Sequence, residues 1–180
     1  MATTSSRNRS VRRGRSLPVA TLGKRTRLSF TYKPELLEAI PFGVGRAFAT
    51  SNTWVSNNCL RFTSLCPVTG QPDWADIFIN FIPDARLVES KSLKEYLNSF
   101  RMHGDFHEDV CRLICDDLVR CMGPRYLEVI GHFDSRGSIA IWPYVQYAKD
   151  GDAGAQQILQ HRLLHYTPGK YAPESYRRNI

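Results

Sequence analysis

Several features are missing from this sequence of 180 residues. It has no apolar run of the roughly 20 residues that cross a bilayer, and its first residues lack the apolar stretch of a secretory signal. Its five cysteines are an odd number and form no paired framework, which is typical of a reducing compartment. We therefore expect a soluble, cytoplasmic protein without a membrane partner. A chain of this length predicts one domain with a proper core.

Acidic residues are absent from the first 34 residues, which hold nine of the 24 Lys and Arg residues. Residues 1–22 are rich in Ser, Thr and Arg and can bury little, so we expect a disordered basic tail before a single domain over 23–180. The rest of the chain is close to neutral. Nucleic-acid-binding domains usually carry their charge on the folded face, so we expect no direct nucleic-acid partner.

The dinucleotide-binding fingerprint is also incomplete. Gly43-Val44-Gly45 contains two glycines, but no strand precedes it and the third glycine is absent. Any dinucleotide cofactor would therefore bind without a Rossmann fold.

The hydrophobic pattern predicts an α+β fold of paired antiparallel strands around two consecutive helices, in the order ββααββ, with a C-terminal helical extension. Alternation of apolar and polar residues predicts a first edge strand over 28–32, followed by a short helical turn over 34–40. The further predicted elements are strands over 54–61 and 75–82, helices over 90–101 and 106–122, strands over 125–133 and 138–145 joined by a turn at 134–137, and a helix over 155–165 that directs Ile158, Leu159 and Leu163 inward.

One stretch, 62–74, combines a cysteine and a carboxylate with two prolines and a glycine. Prolines and glycine predict a stiff, irregular loop, so Cys66 and Asp73 should keep a fixed separation. An ionised thiol is a strong nucleophile, and a nearby Asp can donate or accept the proton that addition to an unsaturated carbon requires. The alternative is a buried, inert cysteine and a turn-forming aspartate.

The two predicted central helices carry further candidate groups. Lys91 and Lys94 are three residues apart, share a helix face and could hold a phosphate, although an ordinary solvated surface has the same pattern. On the next helix, His107, Cys111 and Cys115 lie on one stripe. Successive turns of one helix point their side chains in parallel and cannot close a tetrahedral site. We therefore expect no metal here and assign both cysteines to the core.

Three segments together resemble the 7-cyano-7-deazaguanine reductases, the nitrile reductases of queuosine biosynthesis. The 62–74 stretch is similar to their active-site signature, 88–96 to their nicotinamide-cofactor motif and 103–109 to their second substrate-binding segment. The order and spacing resemble the short, single-domain branch over about 30–147. The resemblance implies the tunnelling fold, in which sheets of several subunits join into a barrel. It also implies a homo-oligomer with active sites between neighbouring subunits.

The resemblance further implies an NADPH-dependent reduction of the nitrile of 7-cyano-7-deazaguanine to an aminomethyl group, giving 7-aminomethyl-7-deazaguanine. Cys66 would add to the nitrile to form a thioimide, Asp73 would protonate its nitrogen, and His107 would assist proton transfer. The substrate would be bound by Glu89, Ser90 and Glu108, and the phosphates of NADPH by Lys91, Lys94 and Arg136. Ionised carboxylates only accept hydrogen bonds, which suits the amino and ring N–H donors of a guanine-like base.

Two other functions remain open from the sequence. One is a zinc-dependent, cyclohydrolase-like pterin enzyme of the same superfamily, with Cys66, Cys111 and either His103 or His107 as ligands. A related amidino-transfer enzyme shares the cysteine loop, but has no use for the cofactor motif. The other function is a non-enzymatic RNA-binding module that uses the Arg-rich tail.

Overall fold

The computed structural model describes residues 30–43 and 53–166. Short 3-10 turns lie at Pro34–Leu36 and Phe100–Met102. The strands and α-helices of the described residues are, in chain order, β1 (Ala39–Pro41), β2 (Val55–Leu65), β3 (Pro72–Ile82), β4 (Arg86–Val88), α1 (Ser90–Ser99), α2 (His107–Met122), β5 (Tyr126–Phe133), β6 (Tyr144–Ala148) and α3 (Ala153–His165).

The main sheet has four antiparallel strands in the order β2-β3-β5-β6, and β1 pairs with β4 in a separate two-stranded sheet. With α1 and α2 between β3 and β5, the main sheet follows the predicted ββααββ order, and the predicted α+β class is confirmed. The edge strand β2 has an irregularity between Cys59 and Phe62, where Arg61 adopts a positive φ of 63°. A bulge of this kind bends and twists an edge strand locally.

The first face of the sheet packs against α1 and α2. Every second residue of β3 projects to this face, because side chains alternate between the two faces of a strand. These residues pack against the apolar stripe of α2, in which apolar residues recur every three or four positions. Cys111 and Cys115 lie within this core, as predicted. The helix ends at Gly123, whose φ of 56° permits the left-handed cap. The core contacts include Ile77, Ile79 and Phe81 of β3 with Val110, Ile114 and Leu118 of α2.

The second face of the sheet is covered by α3, which packs Ala155, Ile158 and Leu159 against an apolar cluster of the sheet. Beside that cluster, the buried carboxylate of Glu128 accepts a hydrogen bond from Asn80 at 2.8 Å. Arg162 of α3 donates two more to it, at 2.9 and 2.6 Å. Tyr126 and Tyr144 donate the remaining bonds to this carboxylate, at 2.7 and 2.8 Å.

The structure corrects several predicted boundaries. Residues 30–32, the described part of the first predicted strand, do not form a strand. The helical turn that begins at Pro34 ends at Leu36 rather than at residue 40, because residues 39–41 pair with β4 as strand β1. The strand predicted over 138–145 begins only at Tyr144. Before Tyr144 the chain forms a tight turn in which the backbones of Arg136 and Ile139 pair with each other. Pro143 has no N–H to donate to the neighbouring strand, so the strand does not extend further toward the N-terminus.

The C-terminal helix also differs from its prediction. It begins at Ala153, because the Asp152 side chain caps it by accepting from the Ala155 N–H. Leu163, predicted to face inward, is exposed. The predicted disordered tail over 1–22 lies outside the described residues, so it stays a prediction. Within the described residues, no helix is long and apolar enough to cross a membrane.

Candidate active site

The candidate nucleophile, Cys66, lies in the connection between β2 and β3. The Cys66 N–H donates to the Gln71 carbonyl at 2.8 Å, and the Gly70 N–H donates to the Cys66 carbonyl at 2.9 Å. Gly70 has a φ of 67°, which a residue with a Cβ adopts at a cost. Backbone bonds therefore close the loop over residues 66–71, as its glycine and first proline predicted. Residues 62–65 and 72–74, which were predicted to be irregular as well, belong to β2 and β3, so strand pairing rather than loop stiffness positions Asp73.

The segment before α2 runs beside the end of β2. The Leu65 N–H donates to the His103 carbonyl at 2.9 Å, and the Asp105 N–H donates to the Leu65 carbonyl at 3.1 Å. These two bonds hold the beginning of α2, and hence His107, beside the cysteine loop. The ring of His107 stacks on Phe133 with a centroid distance of 3.9 Å and an interplanar angle of 6°.

Strand pairing brings a distant arginine to the same place. Because β3 and β5 are antiparallel, the beginning of β3 lies beside the end of β5, with Ala75 opposite Phe133. The Asp134 N–H continues this pairing with a bond to the Trp74 carbonyl at 2.8 Å. The chain then turns, and Arg136 lies against Asp73.

Asp73, His107 and Arg136 form one polar cluster. Asp73 Oδ2 lies 3.2 Å from His107 Nε2, and Asp73 Oδ1 lies 3.1 Å from Arg136 Nε. A guanidinium nitrogen of Arg136 is also 3.3 Å from His107 Nε2. Asp73 and His107 are each 3% exposed, whereas Arg136 reaches solvent. A carboxyl and an imidazole in contact can pass a proton between them, and burial shields that proton from bulk water.

The thiol of Cys66 is set apart from the other cysteines by its acidity. The Thr69 hydroxyl and N–H, the Arg136 guanidinium and the Val68 N–H lower the pKa of Cys66 to about 6, against an opposing effect of burial. Burial instead raises the pKa of Cys59 to about 11 and that of Cys115 to about 12. Since the thiolate is the reactive form, Cys66 is the one of these three that is nucleophilic at neutral pH.

Two clefts lie near these residues. The first, of about 220 Å³, is lined by residues 71–74 and 134–136, so it opens directly onto Asp73 and Arg136. The second, of about 470 Å³, lies between β2 and α1 and includes Ser90 and Lys94. Its lining also holds Arg61, Asn98 and Arg101, and no acidic residue of 30–43 or 53–166 lines it.

The predicted site residues therefore divide into two groups. The first group is Cys66, Asp73 and His107, and Arg136 contacts this group. The second group is Ser90 and Lys94, which line the second cleft. Glu108 is exposed in the first turn of α2, directly after His107.

Glu89 has a structural position at the beginning of α1. It is buried there as the N-cap, and its side chain accepts from the Ser92 N–H at 2.7 Å. Lys91 is half-buried and is not among the residues that line the second cleft.

Sequence reasoning missed one residue beside the thiol and one contact of a residue that it did name. Thr69 acts on the thiol from within the loop, and a hydroxyl three residues after the cysteine was an available signal. The contact of Arg136 with Cys66 and Asp73 was missed as well, because it depends on strand pairing. The zinc alternative is not supported by the geometry. Within 30–43 and 53–166, no three His, Cys, Asp or Glu side chains are grouped as metal ligands.

Residues 72–152 match the family model described as QueF-like protein. The chain is 53% identical over 148 residues to the NADPH-dependent 7-cyano-7-deazaguanine reductase of Bdellovibrio bacteriovorus, covering 80% of this chain and 82% of the relative. It is 48% identical over 147 residues to the protein of that name from Bacteroides thetaiotaomicron, covering 82% and 94%. A third relative of that name, from Bacillus subtilis, is 47% identical over 149 residues, covering 82% and 87%.

A solved structure is also similar. It is the apo form of an archaeosine synthase described as QueF-Like, with a TM-score of 0.51 and 17% sequence identity. The match covers 55% of this chain and 97% of that one. At this identity the likeness concerns the fold alone.

Proposed function

This chain belongs to the family of the NADPH-dependent 7-cyano-7-deazaguanine reductases, and from that premise we propose which of its residues carry out the reaction. The enzyme reduces the nitrile of 7-cyano-7-deazaguanine with NADPH, in the biosynthesis of queuosine. The observation that carries the residue assignment is the acidic thiol of Cys66 beside a buried carboxyl and imidazole. Nucleophilic addition to a nitrile needs such a thiolate and a nearby proton donor.

The first step is addition of the Cys66 thiolate to the nitrile carbon. A carbon–sulfur bond forms, the triple bond becomes a carbon–nitrogen double bond, and the nitrogen takes a proton from the Asp73 carboxyl to give a thioimide. The contact of His107 with Asp73, 3.2 Å, supports a role in returning a proton to that carboxyl. The covalent step divides a difficult reduction into easier ones.

The following steps add two hydrides to the same carbon. NADPH supplies these hydrides when it is bound. After the first reduction Cys66 leaves as a thiolate and an imine remains, which is then reduced to the amine. The Thr69 and Arg136 interactions that lower the thiol pKa also make Cys66 a better leaving group. Asp73 and His107 deliver the second proton, which the nitrogen takes up when the imine is reduced to the amine.

The second cleft fits the phosphates of the cofactor. Among the described residues of this lining, Arg61, Lys94 and Arg101 supply three cations, no acid accompanies them, and Asn98 adds a polar group. We expect Lys94→Gln to raise the KM for NADPH about tenfold and to weaken NADPH binding by a similar factor, since one ion pair is lost. Fluorescence titration of NADPH measures the binding directly.

Arg112→Gln is the matched control, because Arg112 is an exposed cation on α2 that pairs with Asp109. Equal NADPH affinity in the Lys94→Gln and Arg112→Gln proteins would remove Lys94 from the cofactor site. Lys91 remains a proposed second phosphate ligand on the strength of the family motif alone.

Substrate recognition is assigned to Glu89, Ser90 and Glu108. Glu108 is exposed beside His107, which supports a contact with the amino or ring N–H groups of the base. Glu89 and Ser90 stand at the beginning of α1, beside the second cleft. Within the described residues, the linings of the two clefts share no residue.

We therefore propose that a complete site forms where two copies of the chain meet. The edge strands β2 and β6 and the exposed side chains of Val68, Trp74 and Phe106 support such contacts. These contacts would form if the sheets of neighbouring subunits joined into the barrel of the tunnelling fold. Sedimentation of the whole chain as a monomer under conditions of full turnover would contradict this.

The five free thiols suit a reducing compartment, and the cytoplasmic location stays a prediction that cell fractionation checks.

Anaerobic mixing of the protein with 7-cyano-7-deazaguanine tests the function directly. We expect a new thioimide absorbance, an intact mass increased by one substrate molecule, and oxidation of two NADPH per substrate once the cofactor is added. Between pH 5 and pH 7 the rate of adduct formation should rise, because the thiolate fraction grows as the pH passes the Cys66 pKa of about 6. A folded protein with neither adduct nor NADPH oxidation would overturn the proposal.

A further inference from the structure

Ser64 lies at the site but has no role in the steps above. Its hydroxyl is fully buried and has no hydrogen-bond partner within the described residues. Buried polar groups in native proteins are nearly always hydrogen-bonded, since burial without a partner is unfavourable. The position also alternates with the core residue Phe62 on the same face of β2, where an apolar side chain would pack as well. The hydroxyl therefore calls for a chemical explanation.

The strand register puts Ser64 directly opposite Asp73. Side chains of directly opposite residues in an antiparallel pair project to the same face, with Cβ atoms about 4.5–5.5 Å apart. Both carboxyl oxygens of Asp73 are buried, and among the residues that the structure describes neither has a partner with hydrogen-bond geometry. Nitrogens of His107 and Arg136 lie 3.2 and 3.1 Å from them, but without the geometry of a hydrogen bond. Two buried, incompletely satisfied groups thus face each other across β2 and β3.

A hydroxyl suits a carboxyl that must gain and lose a proton. It donates to an ionised carboxylate and accepts from a protonated one, whereas a guanidinium only donates. Arg136 can therefore donate to Asp73 in either protonation state, but it cannot accept the O–H that the protonated carboxyl presents. We propose that Ser64 is a positioning residue, whose hydroxyl holds the Asp73 carboxyl, directly or through one water, in the orientation that delivers its proton to the nitrile nitrogen. The inference rests on the proposed roles of Cys66 and Asp73.

The test is Ser64→Ala in the full chain, with the thioimide formed under anaerobic conditions. We expect adduct formation to slow about tenfold at neutral pH, the loss that corresponds to one hydrogen bond in the transition state. Binding of 7-cyano-7-deazaguanine, measured by calorimetry in a Cys66→Ala background, should stay unchanged. The pH dependence of Cys66 alkylation should also stay unchanged, because Ser64 acts on the proton donor and not on the thiol.

A second pair of variants separates the hydroxyl from the packing. Threonine and valine have the same shape, so Ser64→Thr should keep most of the wild-type rate and Ser64→Val should be as slow as Ser64→Ala. This pair also decides the matter if the alanine variant does not fold. Wild-type rates in Ser64→Ala or Ser64→Val would overturn the inference, and so would a slow rate accompanied by altered Cys66 alkylation. Failure of the wild-type protein to form any adduct would instead overturn the proposed function.

Discussion

Cys66→Ala is expected to abolish the thioimide adduct and to lower turnover by at least about a thousandfold, the scale of losing a covalent nucleophile. Without the thiol, the nitrile carbon would have to accept hydride directly, a step toward which it is unreactive. Substrate binding should remain, since the carboxylates proposed to bind the base are untouched. The measurements are intact mass after anaerobic incubation and NADPH oxidation under saturating substrate.

The alanine variant should fold, because the loop is closed by backbone bonds of residues 66, 70 and 71 rather than by the thiol. Cys121→Ala is the matched control, since Cys121 is half-buried near the end of α2 and burial raises the pKa of its thiol. We expect that variant to form the adduct at the wild-type rate. Retention of more than about a hundredth of wild-type turnover by Cys66→Ala would show that a covalent step through this residue is not required.

Arg162→Met should lower the free energy of unfolding by about 3–5 kcal/mol, because it leaves the carboxylate of Glu128 buried without its cation. Glu128 is fully buried, and Arg162 is the cation that contacts it. Methionine keeps much of the arginine stem, so the effect reports the charge and its two hydrogen bonds. Urea unfolding of the two proteins measures the difference through their midpoints.

The effect should also depend on pH. Burial acts to raise the pKa of Glu128, but hydrogen bonds from Arg162, Tyr126 and Asn80 hold it below its usual value. In the wild-type protein this residue therefore stabilises the fold above the pKa of an unfolded glutamate, about 4.3, and the contribution is lost as the pH falls. In the variant, which lacks Arg162, the effect of burial dominates and raises the pKa of Glu128. Protonation of this residue then favours the folded state, so acidification stabilises the variant. The difference between the two proteins should narrow as the pH falls.

Two further variants control this prediction. Adding Glu128→Gln to Arg162→Met should recover part of the stability, since the buried charge is removed together with its partner. Arg112→Met breaks an exposed ion pair with Asp109 and should cost less than about 1 kcal/mol. A cost for Arg162→Met no larger than that of Arg112→Met would contradict a stabilising role for the buried pair.

Local sequence determined most of the secondary structure. The three-to-four-residue period of α2 follows from one apolar face, and the apolar run at the end of β3 follows from burial of both its faces. Both are patterns of neighbouring residues. The boundaries failed where tertiary pairing decided them, as in residues 138–143. There a separate Arg136–Ile139 pairing and a proline prevent the long strand that the sequence pattern predicts. Leu163 was assigned to the core from periodicity, but the sheet lies against an earlier part of α3.

For the site, the sequence by itself predicted the turn that carries the proposed nucleophile. Prolines, a glycine and a cysteine within a few residues specify a rigid turn carrying a thiol, because φ restriction and left-handed backbone act over one or two residues. The same pattern led to the proposal of Asp73 as a proton donor, and the family motif led to the proposal of His107.

Only the tertiary structure decided the electrostatics. Arg136 was assigned with the lysines, yet the register of β3 and β5 brings it to Asp73 and Cys66. Ser64 faces Asp73 for the same reason, and Glu128 meets Arg162 only because α3 packs on the sheet. Hydrogen bonds and buried charge pairs act over a few ångströms of space. They follow from strand register and helix packing, which no local sequence pattern specifies.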